Sequence, residues 1–302
     1  MTAEHPQVTI VIPAYNEAKS IAHVLEKTLN LGLDCEIIVV DDGSKDGTAD
    51  VVRQFDQVRL IRHPYNIGYG GAIKSGIRAS RGSIILMMDA DGQHSPADVE
   101  RIVAPVRAGD YDMVVGARSR GSDTQIHRDI ANALYNNLAS YICEKKVEDL
   151  TSGLRAFRAD IIRSFVGLLP NGFSLSTTTT LIFFRAGYRV RYEPIIVKRP
   201  ADKSKVKLIR DGINFLIIIL RIGVFFAPLR IFLPVATWLS IFGLAYGIYM
   251  LIARSQVSDL TVLLLLSAAL TFLLGLVSEQ IALLRMSQVE SYLIIKPESK
   301  NE

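Results

Sequence analysis

The chain has 302 residues, of which 49% are hydrophobic and 21% charged, and its formal net charge is +4. That length exceeds one average domain, so a single large α/β unit or a domain with an appendage is expected. The basic excess gathers at Lys198, Arg199, Lys203, Lys205, Lys207, Arg210, Arg221 and Arg230, just ahead of an apolar tail, which assigns it to an anionic membrane surface and excludes nucleic acid as a partner.

From the N-terminus, Met1 to Gln7 lacks the apolar run of a signal peptide, so no export of the first domain is predicted. Val8 to Pro13 is a β-branched run ended by proline and reads as a buried strand. A helical pattern follows from Ser20 to Leu29. Glu36 to Asp41 repeats the strand signal, and Asp46 or Thr48 is placed to cap the next helix. Val58 to Arg62 and Ser83 to Met88 add strands, with Gly71 to Ala79 helical between them. Alternating strands and helices predict a mainly parallel sheet covered on both faces. Cys35 and Cys143 make neither a metal spacing nor a disulfide framework and read as reduced thiols.

Ligands of such sheets bind beyond the carboxyl ends of the strands, and three polar clusters fall there. Pro13 to Glu17 follows the first strand, Asp41 to Ser44 the second, and Asp89 to Gln93 the fourth. Turn chemistry alone accounts for any one cluster, since Asp, Asn, Gly and Ser suit turns. Asp89 and Asp91 differ: two carboxylates one residue apart repel unless a cation bridges them. The glycines at Gly68 and Gly70 lack the third of a dinucleotide fingerprint. No Walker lysine and no Gly-x-Ser-x-Gly elbow occurs, so dehydrogenase, P-loop and serine-hydrolase chemistry are excluded.

Charge nearly vanishes from Ile213 to Leu284, with the compositional boundary near Ala201 to Asp211. Ile231 to Ala253 and Leu260 to Leu284 each exceed the ~20 apolar residues of a membrane crossing, joined by a hairpin loop from Arg254 to Asp259. The positive-inside rule places the basic series and Arg285 in the cytoplasm, with both termini there. Ile213 to Ala227, interrupted by Asn214 and Arg221, reads as a helix lying in the interface. Glu279, at the cytoplasmic end of the second span, requires a partner or water. Gly243, Ala245 and Gly247 offer small residues for self-association into a homo-oligomer.

In order, Val11 to Glu17, Val39 to Ser44, Asn66 to Gly70, Asp89 to His94, Gly116 to Arg118, Thr151 to Arg155 and Lys203 to Lys205 resemble glycosyltransferase family 2. Within it they are similar to the dolichyl-phosphate mannose synthase and bactoprenol glucosyltransferase group. The resemblance implies a GT-A fold and transfer, with inversion, of a sugar from a UDP- or GDP-sugar to a polyprenyl phosphate such as undecaprenyl or dolichyl phosphate. It divides the chain into a cytosolic catalytic domain (1–204), juxtamembrane interfacial helices (205–228), a two-helix anchor (229–286) and a cytosolic tail (287–302). It places Pro13, Tyr15, Glu17, Val40 and Asp42 at the nucleoside. Asp89, Ala90 and Asp91 fall at the diphosphate, with Asp91, Gln93 and Asp89 toward Mg²⁺ or Mn²⁺. Arg118, Arg199 and Lys205 fall at the donor phosphates and acceptor.

A phosphate acceptor is already anionic and needs no general base. It needs cations, for which Arg128, Arg155, Arg199 and Lys205 are candidates. The chain departs from relatives at Phe173 to Leu181, where the hydroxyls of Thr177 to Thr180 replace a glutamate or glutamine; lining the sugar pocket and bonding back to their own helix both stay open. A membrane-bound enzyme that extends a lipid-linked or polysaccharide acceptor is the competing reading. Processive synthases carry a Gln-x-x-Arg-Trp motif, and Trp238, the only tryptophan, lies inside a span.

Overall fold

A computed structural model describes residues 6–119, 126–172, 174–197, 220, 223–225 and 227–295. The chain forms two compact units, the first Met1–Leu208 with Tyr292–Glu302 and the second Ile209–Ser291.

The first unit is a three-layer α/β domain. Its elements run β1 (Val8–Ala14), α1 (Ile21–Leu29), β2 (Cys35–Asp41), α2 (Thr48–Val52), β3 (Val58–Arg62), α3 (Tyr69–Ala79), β4 (Ile84–Met87), α4 (Pro96–Arg107), β5 (Met113–Arg118), α5 (Ile126–Cys143), β6 (Arg155–Arg158), α6 (Ala159–Phe165), α7 (Leu175–Arg185) and β7 (Val190–Ile195). The seven strands lie in the order β3-β2-β1-β4-β6-β5-β7. Pairings within β3-β2-β1-β4 and between β5 and β7 are parallel, while β6 runs antiparallel to both neighbours. The expected strand and helix positions hold to within about two residues, the ordinary uncertainty of element ends.

Period-two alternation divides the core. Val8, Ile10 and Ile12 of β1 pack with Ile21, Val24 and Leu25 of α1 and with Val99, Ile102 and Val103 of α4. On the other face, Ile38 and Val40 meet Ala72 of α3. Pro13 lies inside β1 and does not end it, because β4 pairs only with Val8 to Val11 and no neighbour there requires an N–H from residue 13.

At the far edge a single carboxylate joins three strands. Asp112 accepts from the Arg189 main chain at 2.8 Å, from Arg189 Nε at 3.2 Å and from Arg158 Nη1 at 3.3 Å. Burial pushes this carboxyl up, but the bonds and charge of Arg189, aided by Arg158, outweigh burial and hold it below the usual carboxylate range.

The second unit holds α8 (Pro228–Arg254) and most of α9 (Asp259–Ile295). Pro228–Arg254 and Asp259–Arg285 are 27 residues each and apolar enough to cross a membrane. At ~1.5 Å per residue such a helix reaches about 40 Å, past a hydrocarbon core of about 30 Å. Glu279 Oε2 accepts from Leu229 N–H at 3.1 Å, so the carboxylate in α9 satisfies one of the orphan donors opening α8. Small residues are used within this hairpin: a Cβ on Gly247 would meet Thr261 Cγ2 at 2.7 Å, and one on Gly243 would meet Leu265 Cδ2 at 3.0 Å. Gly243 and Gly247 therefore face α9 of their own chain.

The depressed Asp112 carboxyl contributes stability that is fully present above its unfolded value, ~3.9, and is lost as pH falls through its lower folded value. Asp112→Asn should lower amide protection in β5 to β7 at neutral pH and shrink its further loss below about pH 4. Hydrogen exchange of the full chain measures both.

Candidate active site

The strand order reverses direction between β1 and β4: the chain moves outward through β2 and β3, then returns to place β4 on the other side of β1. Loops leaving the carboxyl ends of these two strands diverge and leave a crevice. Asp89 to Gln93 leaves β4 there, and Tyr15 to Glu17 leaves β1.

The first two loops are interlocked. Asn16 N–H donates to Ser44 Oγ at 2.9 Å, Lys45 N–H to Asn16 Oδ1 at 3.0 Å, Glu17 N–H to Thr48 Oγ1 at 2.9 Å, and Ala18 N–H to Asp46 Oδ2 at 3.0 Å. Asp46 also accepts from Thr48 N–H at 3.0 Å, so it organises the entry to α2 although Gly47 is the residue directly before the helix. Tyr15 stands 46% exposed above this joint. Pro13 and Val40 are buried and adjacent in register.

Asp42 is engaged by the protein itself. It is 2% exposed, and its carboxylate accepts from Ile67 N–H at 2.9 Å and Gly68 N–H at 2.8 Å, with His63 Nδ1 at 2.7 Å. These bonds tie the end of β2 to the segment opening α3.

Asp89 is half-buried and accepts from the Tyr69 hydroxyl at 2.9 Å. Burial, then the charge of Asp91, push its carboxyl up, opposed by the Tyr69 bond and by the charges of His94 and Arg155. Asp91 is exposed and its Oδ1 accepts from Gln93 N–H at 3.1 Å, closing the turn. Ala90 is buried in the core between them. A capping box of Ser95 and Asp98 then starts α4 and fixes the exit of the motif.

Whether Asp89 and Asp91 suit a divalent cation is answered by their surroundings. The two charges repel, and beside them His94 Nδ1 is buried with no hydrogen-bond partner. Among the described residues no group of three His, Cys, Asp or Glu side chains converges. A pair of carboxylates without a closed cage suits Mg²⁺ or Mn²⁺ that retains water and takes further oxygens from a phosphate. The residues fit, with Gln93 a half-buried amide next to the pair.

The arginines divide differently from expectation. Arg118 Nε and Nη2 reach Asp149 at 2.8 and 2.9 Å, and Nη2 also reaches Thr151 Oγ1 at 2.6 Å. Burial raises the Asp149 carboxyl, yet the Arg118 bonds and charge outweigh it and keep it below the usual range. Arg118 is thus ion-paired, and a phosphate would compete with Asp149 for it.

Arg155 is 0% exposed. It donates to the carbonyls of Leu150, Ser152 and Ser176 at 2.8, 2.8 and 2.7 Å, and to Thr179 Oγ1 and Thr180 Oγ1 at 3.2 and 2.6 Å. The assignment of Arg155 as a cation touching phosphate is therefore corrected: no part of it reaches solvent. It binds the loop from Leu150 to Ser152 to the first turns of α7. This also accounts for the hydroxyl run. Thr179 and Thr180 accept from Arg155 while donating back to Ser176 O at 2.9 and 3.1 Å. Arg128 falls on α5, its side chain outside the described residues, as are Arg199 and Lys205 altogether.

Residues 9–165 match the family model described as glycosyl transferase family 2. The chain belongs to that family. Residues 227–284 match a second model, the GtrB C-terminal hairpin. An uncharacterised protein of Methanocaldococcus jannaschii is 33% identical over 197 residues, covering 63% of this chain and 80% of that one. An undecaprenyl-phosphate 4-deoxy-4-formamido-L-arabinose transferase of Shewanella sediminis is 28% identical over 265 residues, 82% of this chain and 75% of that one. Glycosyltransferase AglD of Haloferax volcanii is 29% identical over 224 residues, 70% of this chain, but the match spans only 36% of its length.

Among solved structures, glucosyl-3-phosphoglycerate synthase of Mycobacterium tuberculosis, crystallised with Mn²⁺, UDP-glucose and phosphoglyceric acid, has the same GT-A fold. Its TM-score is 0.59 at 22% identity, covering 72% of this chain and 80% of that one.

Sequence reasoning missed Tyr69 and the role of Arg155. The tyrosine lies in Asn66 to Gly70, a stretch that carries the family resemblance without pointing to a role for this side chain. Arg155→Lys retains the charge but cannot span acceptors on both sides of the guanidinium, and it leaves buried carbonyls unsatisfied at about 1–3 kcal/mol each. The variant should unfold at a markedly lower temperature in calorimetry of the full chain, while Arg118→Lys, at a part-exposed pair, should lose less.

Proposed function

We propose that this family 2 glycosyltransferase transfers a sugar, with inversion, from a UDP- or GDP-sugar to a polyprenyl phosphate at the cytoplasmic face of a membrane. The observation that carries the reading is the Asp89–Asp91 turn at the sheet's switch point, in a chain that continues into an apolar helical hairpin of membrane-crossing length. The Shewanella relative, named for its undecaprenyl-phosphate acceptor, aligns over 82% of this chain, which supports the same acceptor class here.

In this proposal Asp89 and Asp91, with Gln93, hold Mg²⁺ or Mn²⁺. Bound there, the ion supplies Lewis-acid stabilisation of the charge growing on the leaving nucleoside diphosphate. Tyr15 and Glu17 face the nucleoside above the floor of Pro13 and Val40, and Asp42 shapes that pocket through the loop it holds. The acceptor's phosphate attacks without a general base because it is already ionised near neutral pH. Arg128, Arg199 and Lys205 orient it, and Arg118 contributes on exchanging Asp149 for a phosphate oxygen.

The proposed division is a cytosolic domain (1–204), interfacial helices (205–228), the membrane hairpin (229–286) and a cytosolic tail (287–302). The basic series ahead of α8 and Arg285 after the crossing segment of α9 support both termini being cytoplasmic.

Purified full-length protein given undecaprenyl or dolichyl phosphate, Mn²⁺ and a panel of nucleotide sugars should yield a lipid-linked sugar detectable by mass spectrometry. Glycosylation of a different acceptor with no polyprenyl product would refute the proposal. Asp91→Ala should reduce turnover at least about 100-fold, in the range of losing a principal electrostatic stabiliser, with unfolding temperature nearly unchanged because the side chain is exposed. Retained transfer in that variant would remove the metal role.

A further inference from the structure

We propose that Tyr69 is a positioning residue for the metal-holding carboxylate: its hydroxyl fixes the orientation of Asp89, under the hold of Ser176 and Arg155, so that the Asp89–Asp91 pair is set before a cation or donor arrives. The inference rests on the reading that these two aspartates hold a divalent cation.

The geometry brings three separate elements to one carboxylate. Tyr69 opens α3 and donates to Asp89 Oδ1 at 2.9 Å. Its oxygen is in turn hydrogen-bonded by the Ser176 side chain, in the first turn of α7. Ser176 is itself pinned, since its carbonyl accepts Arg155 Nη1 at 2.7 Å.

From the other side, Gly153 closes on the same carboxylate. A Cβ there would lie 2.0 Å from Asp89 Oδ2 and 2.8 Å from Oδ1. Gly153 belongs to the turn that Arg155 holds through the carbonyls of Leu150 and Ser152. A buried guanidinium thus governs both walls around Asp89 while touching neither the cation nor a substrate.

A fixed donor on Oδ1 lowers the cost of keeping two carboxylates ionised side by side.

Mn²⁺ binding to the full chain in detergent, followed by electron paramagnetic resonance, tests this without relying on turnover. Tyr69→Phe keeps the ring and loses one hydrogen bond to a charged group, so its Mn²⁺ affinity should fall about tenfold. Ser176→Ala keeps the tyrosine and the main-chain contact to Arg155, and should weaken binding about threefold. Excess Mn²⁺ should restore most of kcat in Tyr69→Phe, a rescue that a merely structural defect would not give. Asp91→Ala serves as the reference and should lose Mn²⁺ binding.

Parent-like Mn²⁺ affinity in both Tyr69→Phe and Ser176→Ala, with binding lost in Asp91→Ala, would overturn the positioning role and leave the cation site standing. Parent-like affinity in Asp91→Ala would overturn the cation site and this inference together.

Discussion

A guanidinium with no exposure to solvent lies at the centre of the catalytic domain, and the arrangement of the site follows from satisfying it. Burying a guanidinium is costly unless it is hydrogen-bonded, and five acceptors surround that of Arg155. Three of those acceptors are main-chain carbonyls, which forces the chain from Leu150 to Ser152 and the start of α7 to converge on one point. Hydroxyls on Thr179 and Thr180 complete the shell. Placing a carboxylate there would neutralise the cation locally, whereas hydroxyls leave its field to act on Asp89, Asp149 and Tyr69.

That field acts at the place where the sheet topology opens a crevice. Acidic side chains at the end of a buried strand are costly when they stand close together. Here Asp89 carries the burden of burial and of Asp91's charge, relieved in part by Tyr69 and by Arg155 at a distance. Asp42 and Asp149 follow a different logic. Each is surrounded by donors from the protein, and each spends its charge on holding a loop. Acidic residues at one edge of one sheet thus divide into those that build the crevice and those left to act in it.

The apolar hairpin obeys a separate constraint. With no hydrophobic drive between helices in lipid, close approach and satisfied polar groups decide how α8 and α9 pack. Gly243 and Gly247 allow that approach, and Glu279 answers a donor that the start of α8 would otherwise leave open. A carboxylate at this depth is explained by the helix end it completes.

Apolar β-branched runs that alternate with helical patterns and lead into polar turn clusters determined by themselves that the chain has a mainly parallel sheet with its polar loops at one edge. An uncharged tail of two long segments determined the hairpin. Both are legible because burial of a strand or a membrane helix imposes a local pattern on the residues that do it. The proximity of Asp89 and Asp91 was equally legible, being one residue apart. What only the tertiary structure decided is which charged groups remain available.

Arg118 and Arg155 look alike in sequence, yet one is paired with Asp149 and the other is enclosed by carbonyls of segments up to 21 residues away. Tyr69 acquires meaning only when α3 is laid beside the end of β4, 20 residues on. Hydrogen bonding between distant segments leaves no period in the sequence, because the partner's position is set by the fold and most of the acceptors are main-chain groups that every residue carries.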